Sequence, residues 1–185
     1  MGREENLLVL GKSGVGKTTL LHLMAGLLKP KTGAVTVEGM ELQSLSVKKC
    51  DRFTGQHIGI VFQKNYAIRS LNVLENLEAR LFFSGLKANK GRLFSLLKEL
   101  NLLTQKKQKV NQLSEGQLQR LGIALAVVHQ PKVILADEPT SSLDDVNCKL
   151  VMRLLLKQTA QQNANLVVIT HDTRLKPLFQ NKIML

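Results

Sequence analysis

A chain of 185 residues with 44% hydrophobic side chains is long enough to bury one domain's core. Its 26 basic against 14 acidic side chains give +12, a balance that favours an anionic partner: nucleic acid, a lipid surface or a nucleotide. Cys50 and Cys148 lack the spacing of a disulfide framework or a zinc site. With no long apolar run and no basic-then-apolar leader, a soluble, cytoplasmic protein is expected.

In chain order, the apolar run Leu7–Leu10 predicts a buried parallel strand, and GKSGVGKTT, Gly11 to Thr19, follows it directly. Gly11, Gly16, Lys17 and Thr18 meet the GxxxxGK(S/T) pattern of a phosphate-binding loop, with Gly14 as a further site of close backbone approach. In such a loop the backbone N–H groups of Lys12, Ser13, Gly14, Val15 and Gly16 turn inward. A helix starting near Lys17 adds its dipole, Lys17 reaches the outer phosphates, Thr18 offers a hydroxyl to magnesium and Thr19 closes the cradle. The ligand class is a nucleoside triphosphate with its metal. Leu20, Leu21, Leu23, Met24, Leu27 and Leu28 have helical spacing, and Pro30 and Gly33 are read as the stop.

Ala34 to Leu42 alternates like a strand pair turning at Gly39, and Ile58 to Phe62 is a short strand ending at Gln63. Asn72 and Glu75 have the spacing of a capping box, so Val73 to Phe83 is predicted helical, as is Arg92 to Leu100, with breaks at Gly85 and Gly91. Leu86 to Val110 holds seven basic residues against one acidic, a solvated face or an anion-binding one. Ser114 and Gln117 repeat the capping-box spacing before an apolar face of Leu118, Leu121, Leu125 and Val128. The run Val133 to Ala136 ends in Asp137 and Glu138, a helix is predicted from about Val146 to Gln162, and the strand Leu166 to Ile169 delivers Thr170 and His171. A short helix and Ile183 to Leu185 finish the chain.

Strands alternating with helices predict an open, mostly parallel α/β sheet with its site beyond the carboxyl ends of the strands, where Gly11, Gln63, Asp137 and His171 all fall. Phosphoryl transfer to water needs a cradle, a metal held by a hydroxyl and a carboxylate, and a group that activates water. Asp137 is the natural partner of Thr18 on magnesium, Glu138 the candidate general base, and His171 a hydrogen-bonding partner of the γ-phosphate. On residue type alone, Asp137 also fits a strand-end turn and His171 a helix cap.

The ordered set GKSGVGKTT, VFQ, LSEGQ, VILADE, SSLD and VITHD is similar to that of ATP-binding cassette (ABC) ATPases, with LSEGQ the discriminating motif. The resemblance implies a phosphate-loop NTPase fold in one domain, 1–185, with a helical signature subdomain at about 70–128 and a reduced N-terminal antiparallel β subdomain. It implies ATP and Mg2+ as ligands, and a head-to-tail homodimer sandwiching two ATP molecules. Ser114, Gly116 and Gln117 of one copy would face the loop of the other, the stretch Ser141 to Asp144 would cross the interface with Asp144 near the nucleotide, and Gln63 would link the metal to an integral membrane permease. The subunit would lie peripherally on the cytoplasmic face of the cell membrane. Within the family, HLMAGLLKPKTGAVTVEG and ADEPTSSLD look most like the lipoprotein-releasing and macrolide-export ATPases.

Three departures stand out. Glu115 replaces the usual second residue before the signature glutamine, a glycine, and is expected to point away from the nucleotide. Leu125 replaces a common arginine. Only ten residues precede Gly11, so the family's first strands and adenine-stacking aromatic are missing, which is read as truncation and predicts weak adenine selectivity. Two other functions compete: a nucleic-acid-linked ABC ATPase, disfavoured because the 50 residues between Gln63 and Leu113 leave no room for a coiled coil, and a module with little turnover, disfavoured by Lys17, Asp137, Glu138 and His171.

Overall fold

The computed structural model describes residues 5–64, 66–141 and 143–185. Five strands form one parallel sheet in the order β4 (Ile58–Val61), β5 (Val133–Asp137), β6 (Asn165–Thr170), β1 (Asn6–Leu10), β7 (Asn181–Met184). Period-two alternation sends side chains to opposite faces. Leu8, Leu10, Ile134, Ala136, Leu166 and Val168 enter a large core under α3 (Val73–Phe83), α4 (Lys90–Glu99), α5 (Glu115–Val127) and α6 (Asp145–Gln161). Val9, Leu135, Val167 and Ile169 enter a smaller core with Leu21 of α1 (Lys17–Met24) and half-buried Cys50 and Phe53 of α2 (Val47–His57). With both faces covered, the strands read as continuous apolar runs, as buried parallel strands do. A second sheet is a hairpin of β2 (Thr36–Val37) and β3 (Met40–Glu41), turning at Glu38 and Gly39 as the sequence predicts.

The two capping boxes form as predicted. Glu75 N donates to Asn72 Oδ1 at 2.9 Å and Asn72 N to Glu75 Oε2 at 2.8 Å, starting α3. Ser114 and Gln117 do the same for α5, at 3.3 and 2.8 Å. One glycine is required by packing: a Cβ on Gly59 would lie 2.0 Å from the Ala126 carbonyl oxygen, so only glycine lets β4 run against α5.

Four local readings are corrected. The first helix ends at Met24, not beyond Leu28: Gly26 at φ 72° closes a Schellman motif, with Gly26 N donating to Leu23 O at 3.1 Å and Leu27 N to His22 O at 2.9 Å, which leaves Leu27 and Leu28 exposed. Gly91 does not break the next helix but sits in the first turn of α4, where Asn89 Oδ1 accepts from Arg92 N at 3.1 Å and holds the end. Helix α2 was not predicted, and the chain ends in β7, pairing with β1, where only an apolar tail was read. The buried face of α5 also extends beyond the predicted stripe to Ile123, Ala124, Ala126 and Val127.

Candidate functional site

The loop Gly11 to Gly16 leaves the carboxyl end of β1 and runs into α1. Gly14 and Gly16 adopt φ of 84° and 98°, yet a Cβ at either would meet nothing within 4 Å. Backbone conformation, not space, therefore selects glycine there. The first-turn N–H groups of α1 have no intrahelical acceptors, so the loop presents donors and a positive dipole end together. Lys12, Ser13, Val15, Thr18 and Thr19 are exposed around it.

Lys17 is 6% exposed, and its ammonium is fully engaged. Its Nζ donates to Gly11 O and Lys12 O, both at 2.9 Å, and lies 3.5 Å from Glu138 Oε1. The parallel pairing of β1, β6 and β5 sets the carboxylates beside this lysine: Leu10 is opposite Thr170, and Ile169 opposite Asp137. Thr18 Oγ1 donates to Asp137 Oδ2 at 3.0 Å. Asp137 Oδ1 is buried and has no partner among the described residues.

Glu138 holds a left-handed backbone, φ 47°, fixed by its N–H donating to Ile169 O at 2.8 Å, a conformation that costs a non-glycine residue about 1–3 kcal/mol. That turn aims its carboxylate back at Lys17 and His171. Oε2 accepts from Thr170 Oγ1 at 2.7 Å, and Oε1 accepts from His171 N at 3.1 Å and meets His171 Nδ1 at 2.9 Å. From α5, Gln119 Nε2 donates to Pro139 O at 2.8 Å and so braces the turn that follows.

The two adjacent carboxylates are driven apart electrostatically. Burial raises the pKa of Asp137, helped by the charge of Glu138 and opposed by the Thr18 hydrogen bond. Burial also pushes Glu138 up, but hydrogen bonds from Thr170 and His171 outweigh it, and its pKa ends below the ordinary carboxylate value. Asp137 is thus a buried, under-satisfied carboxylate beside a hydroxyl, a hard oxygen set that fits Mg2+ and its preference for one or two protein oxygens plus phosphate.

The described contacts join Lys17, Thr18, Asp137, Glu138 and His171 in one cluster. They do not join Gln63, Ser114, Gly116, Gln117 or Asp144 to it. Gln63 lies two residues past β4, whose Val61 pairs with Ala136. Ser114 and Glu115 are exposed at the start of α5, and Gly116 and Gln117 are half-buried there. Asp144 caps α6, its Oδ1 accepting from Asn147 N at 2.8 Å; Ser142 in the same stretch lies outside the described residues. Leu125 is half-buried on the larger core. Sequence reasoning missed Thr140, Asp172 and Arg174, which interlock behind Glu138; Thr140 stood in ADEPTSSLD and Asp172 in VITHD, but no motif pointed to Arg174.

A separate groove of about 460 Å³ is lined by Ile60, Phe62, Tyr66, Ile68, Phe83 and Leu125, just past Gln63, with Phe83 75% exposed.

A model of the family described as "ABC transporter" matches residues 1–141. The chain belongs to the ABC transporter family. Within the family it is an ATP-binding and ATP-hydrolysing subunit on a phosphate-loop fold, with a small antiparallel sheet beside the parallel one. It is 36% identical over 173 residues to the lipoprotein-releasing system ATP-binding protein LolD of Legionella pneumophila (strain Lens), covering 92% of this chain and 76% of that protein. It is 35% identical over 168 residues to LolD of Buchnera aphidicola subsp. Schizaphis graminum, covering 90% and 73%. Among solved structures, the ABC cassette MJ0796, in a dimeric post-hydrolysis state bound to ADP and Pi, superposes with a TM-score of 0.88 at 33% identity, over all of this chain and 83% of that one. The cbiO1 subunit of the cbiONQ transporter complex of Clostridium perfringens gives 0.86 at 29% identity, over all of this chain and 74% of that one.

Proposed function

We propose that this ABC ATPase hydrolyses MgATP at two sites shared between two copies of the chain, and so drives a membrane permease. The carrying observation is the junction of the phosphate loop with Asp137 and Glu138: Lys17 and Thr18 each contact a different one of two carboxylates whose pKa values are shifted in opposite directions.

Each residue acts through what it already touches. A polyphosphate entering the loop meets the N–H groups of Gly14, Gly16, Lys17 and Thr18 and draws Val15 N from Lys12 O, 3.4 Å away, with Lys12, Ser13 and Thr19 at the rim. Lys17 exchanges Gly11 O, Lys12 O and Glu138 for phosphate oxygens. Thr18, Asp137 and Gln63 would hold Mg2+, which when bound would supply charge neutralisation for the phosphates. His171 turns from Glu138 to the γ-phosphate. Having lost these donors, Glu138 becomes more basic, and it accepts the proton of the attacking water.

The second half of each site is the exposed amino end of α5 from a second copy, placed head to tail. Gly116 offers a first-turn N–H and the positive dipole end of α5 to the γ-phosphate, Ser114 and Gln117, whose N–H groups are held in their capping box, meet it through their side chains, and Asp144 ends the stretch that crosses between copies. ATP then bridges the copies, and hydrolysis removes the bridge. The groove beside Gln63, with Phe83 and Tyr66 at its exposed edge, is where we place the permease contact, since a contiguous exposed apolar surface of this kind marks a partner. Among the described residues no helix is long and apolar enough to cross a membrane, and the subunit sits on the cytoplasmic face through its permease.

Mixing two dead variants tests the shared site. Lys17→Ala and Ser114→Arg are each inactive alone. In a mixture half the dimers are hybrids with one intact site, so activity returns to about a quarter of wild type. A mixture that stays inactive contradicts the shared arrangement.

A further inference from the structure

Behind Glu138, the stretch Thr140 to Asp145 and the turn after His171 meet at one guanidinium. Arg174 lies in the 3₁₀ turn Thr173–Leu178, three residues after His171. Its Nε donates to Asp172 Oδ1 at 2.9 Å and its Nη2 to Asp172 Oδ2 at 2.7 Å, a two-point fork. Nη2 also reaches Leu143 O at 3.2 Å and Thr140 O at 3.4 Å, and Nη1 donates to Asp145 Oδ1 in the first turn of α6 at 2.5 Å.

Asp172 is fixed from its other side as well. The hydroxyl of fully buried Thr140 donates to its Oδ2 at 2.9 Å, and its own N–H donates to Thr170 Oγ1 at 2.9 Å. Thr170 Oγ1 in turn donates to Glu138 Oε2 at 2.7 Å. A continuous run of hydrogen bonds therefore leads from the carboxylate of Glu138 through Thr170, Asp172 and Arg174 to the carbonyl of Leu143 and the carboxylate of Asp145. Leu143 lies within the stretch Ser141 to Asp144, and Thr140 and Asp145, both also reached by Arg174, bracket it.

We propose that Arg174 is a positioning residue for hydrolysis: it sets the backbone of the interface-crossing stretch against Glu138 and His171, so that contact with the second copy is felt at the base. The proposal rests on the reading of Ser141 to Asp144 as that stretch. The fork on Asp172, whose side chain is 7% exposed, also holds the fold, but the pair with Asp145 adds little stability because that carboxylate is 77% exposed, so this outer contact is not explained by stability. Its value is geometric. A planar fork can hold a carboxylate edge-on and still reach two carbonyls, which a lysine ammonium cannot do.

The test is ATP hydrolysis against ATP concentration for wild type, Arg174→Ala and Arg174→Lys, with binding of a fluorescent ATP analogue to the monomer and thermal unfolding measured alongside. Misplacement at the base predicts a fall in kcat on the order of tenfold to a hundredfold for both variants. Monomer nucleotide affinity stays within about twofold of wild type, and the Hill coefficient falls toward one, because the two sites no longer report on each other. Arg174→Lys keeps the charge and the fold, and it carries the test if Arg174→Ala does not fold. Wild-type kcat and Hill coefficient in Arg174→Lys overturn the proposal, as does a loss of kcat in Arg174→Ala that matches its loss of affinity and melting temperature. A wild type that does not hydrolyse ATP counts instead against the ATPase reading.

Discussion

Lys17 Nζ lies 3.5 Å from Glu138 Oε1 while donating at 2.9 Å to Gly11 O and Lys12 O, so one ammonium both closes the phosphate loop and touches the proposed base. On the proposed reading, phosphate oxygens take over these two hydrogen bonds and the ion pair when nucleotide binds. The proposal therefore couples nucleotide binding to loss of the Lys17 contact at Glu138, which Thr170 and His171 still hold.

Lys17→Ala should weaken ATP binding by about tenfold to a hundredfold, the scale of a lost charge-assisted contact, and should leave Gly11 O and Lys12 O unpaired. Titration calorimetry with a non-hydrolysable analogue measures it, and an unchanged dissociation constant contradicts the role given to the lysine.

Asp137 carries the opposite signature, that of a group held for function at a cost in stability. Burial raises its pKa, so its charged form is disfavoured in the folded protein, and the destabilisation is present at neutral pH and relieved as pH falls through the raised value. Asp137→Asn should raise the melting temperature without added metal by a few degrees, about what 1 kcal/mol gives in a domain of this size, and abolish hydrolysis. Added Mg2+ and ATP should stabilise wild type more than the variant. A lower melting temperature for the variant would mean that the carboxylate is already well satisfied.

His171 holds Glu138 partly through its ring, and that hydrogen bond lowers the Glu138 pKa. Removing it must raise the value. In His171→Ala the acid limb of the kcat/KM profile, which reports the free enzyme, should move to higher pH, while kcat at neutral pH falls about a hundredfold. A limb that moves to lower pH, or stays, contradicts the coupling.

Much of this was legible in the sequence because parallel strands buried on both faces are plain apolar runs, and because the loop, the two capping boxes and the carboxylate pair are local patterns. The hairpin turn at Glu38 and Gly39 and the strand ends at Asp137 and Thr170 follow from the same logic. What was hidden depends on contacts made at a distance. Helix α2 has no fully buried residue and offers only Val47, Cys50 and Phe53 as apolar positions, so its periodicity is faint until the smaller core forms around it. The end of α1 was misread because Leu27 and Leu28 keep helical spacing past Gly26, whose positive φ ends the helix. Arg174 was not singled out, since its acceptors at Thr140, Leu143 and Asp145 lie 29 to 34 residues away in the chain.

The central claim is that Glu138 activates water at an ATP site bridging two copies, and Glu138→Gln tests it most directly. The substitution keeps the shape and removes the proton acceptor, so hydrolysis should fall by at least about a hundredfold. Because the bridge is no longer consumed, the variant should run as a dimer by light scattering with ATP and as a monomer with ADP. A variant that hydrolyses ATP at the wild-type rate, or that stays monomeric at saturating ATP, contradicts the account.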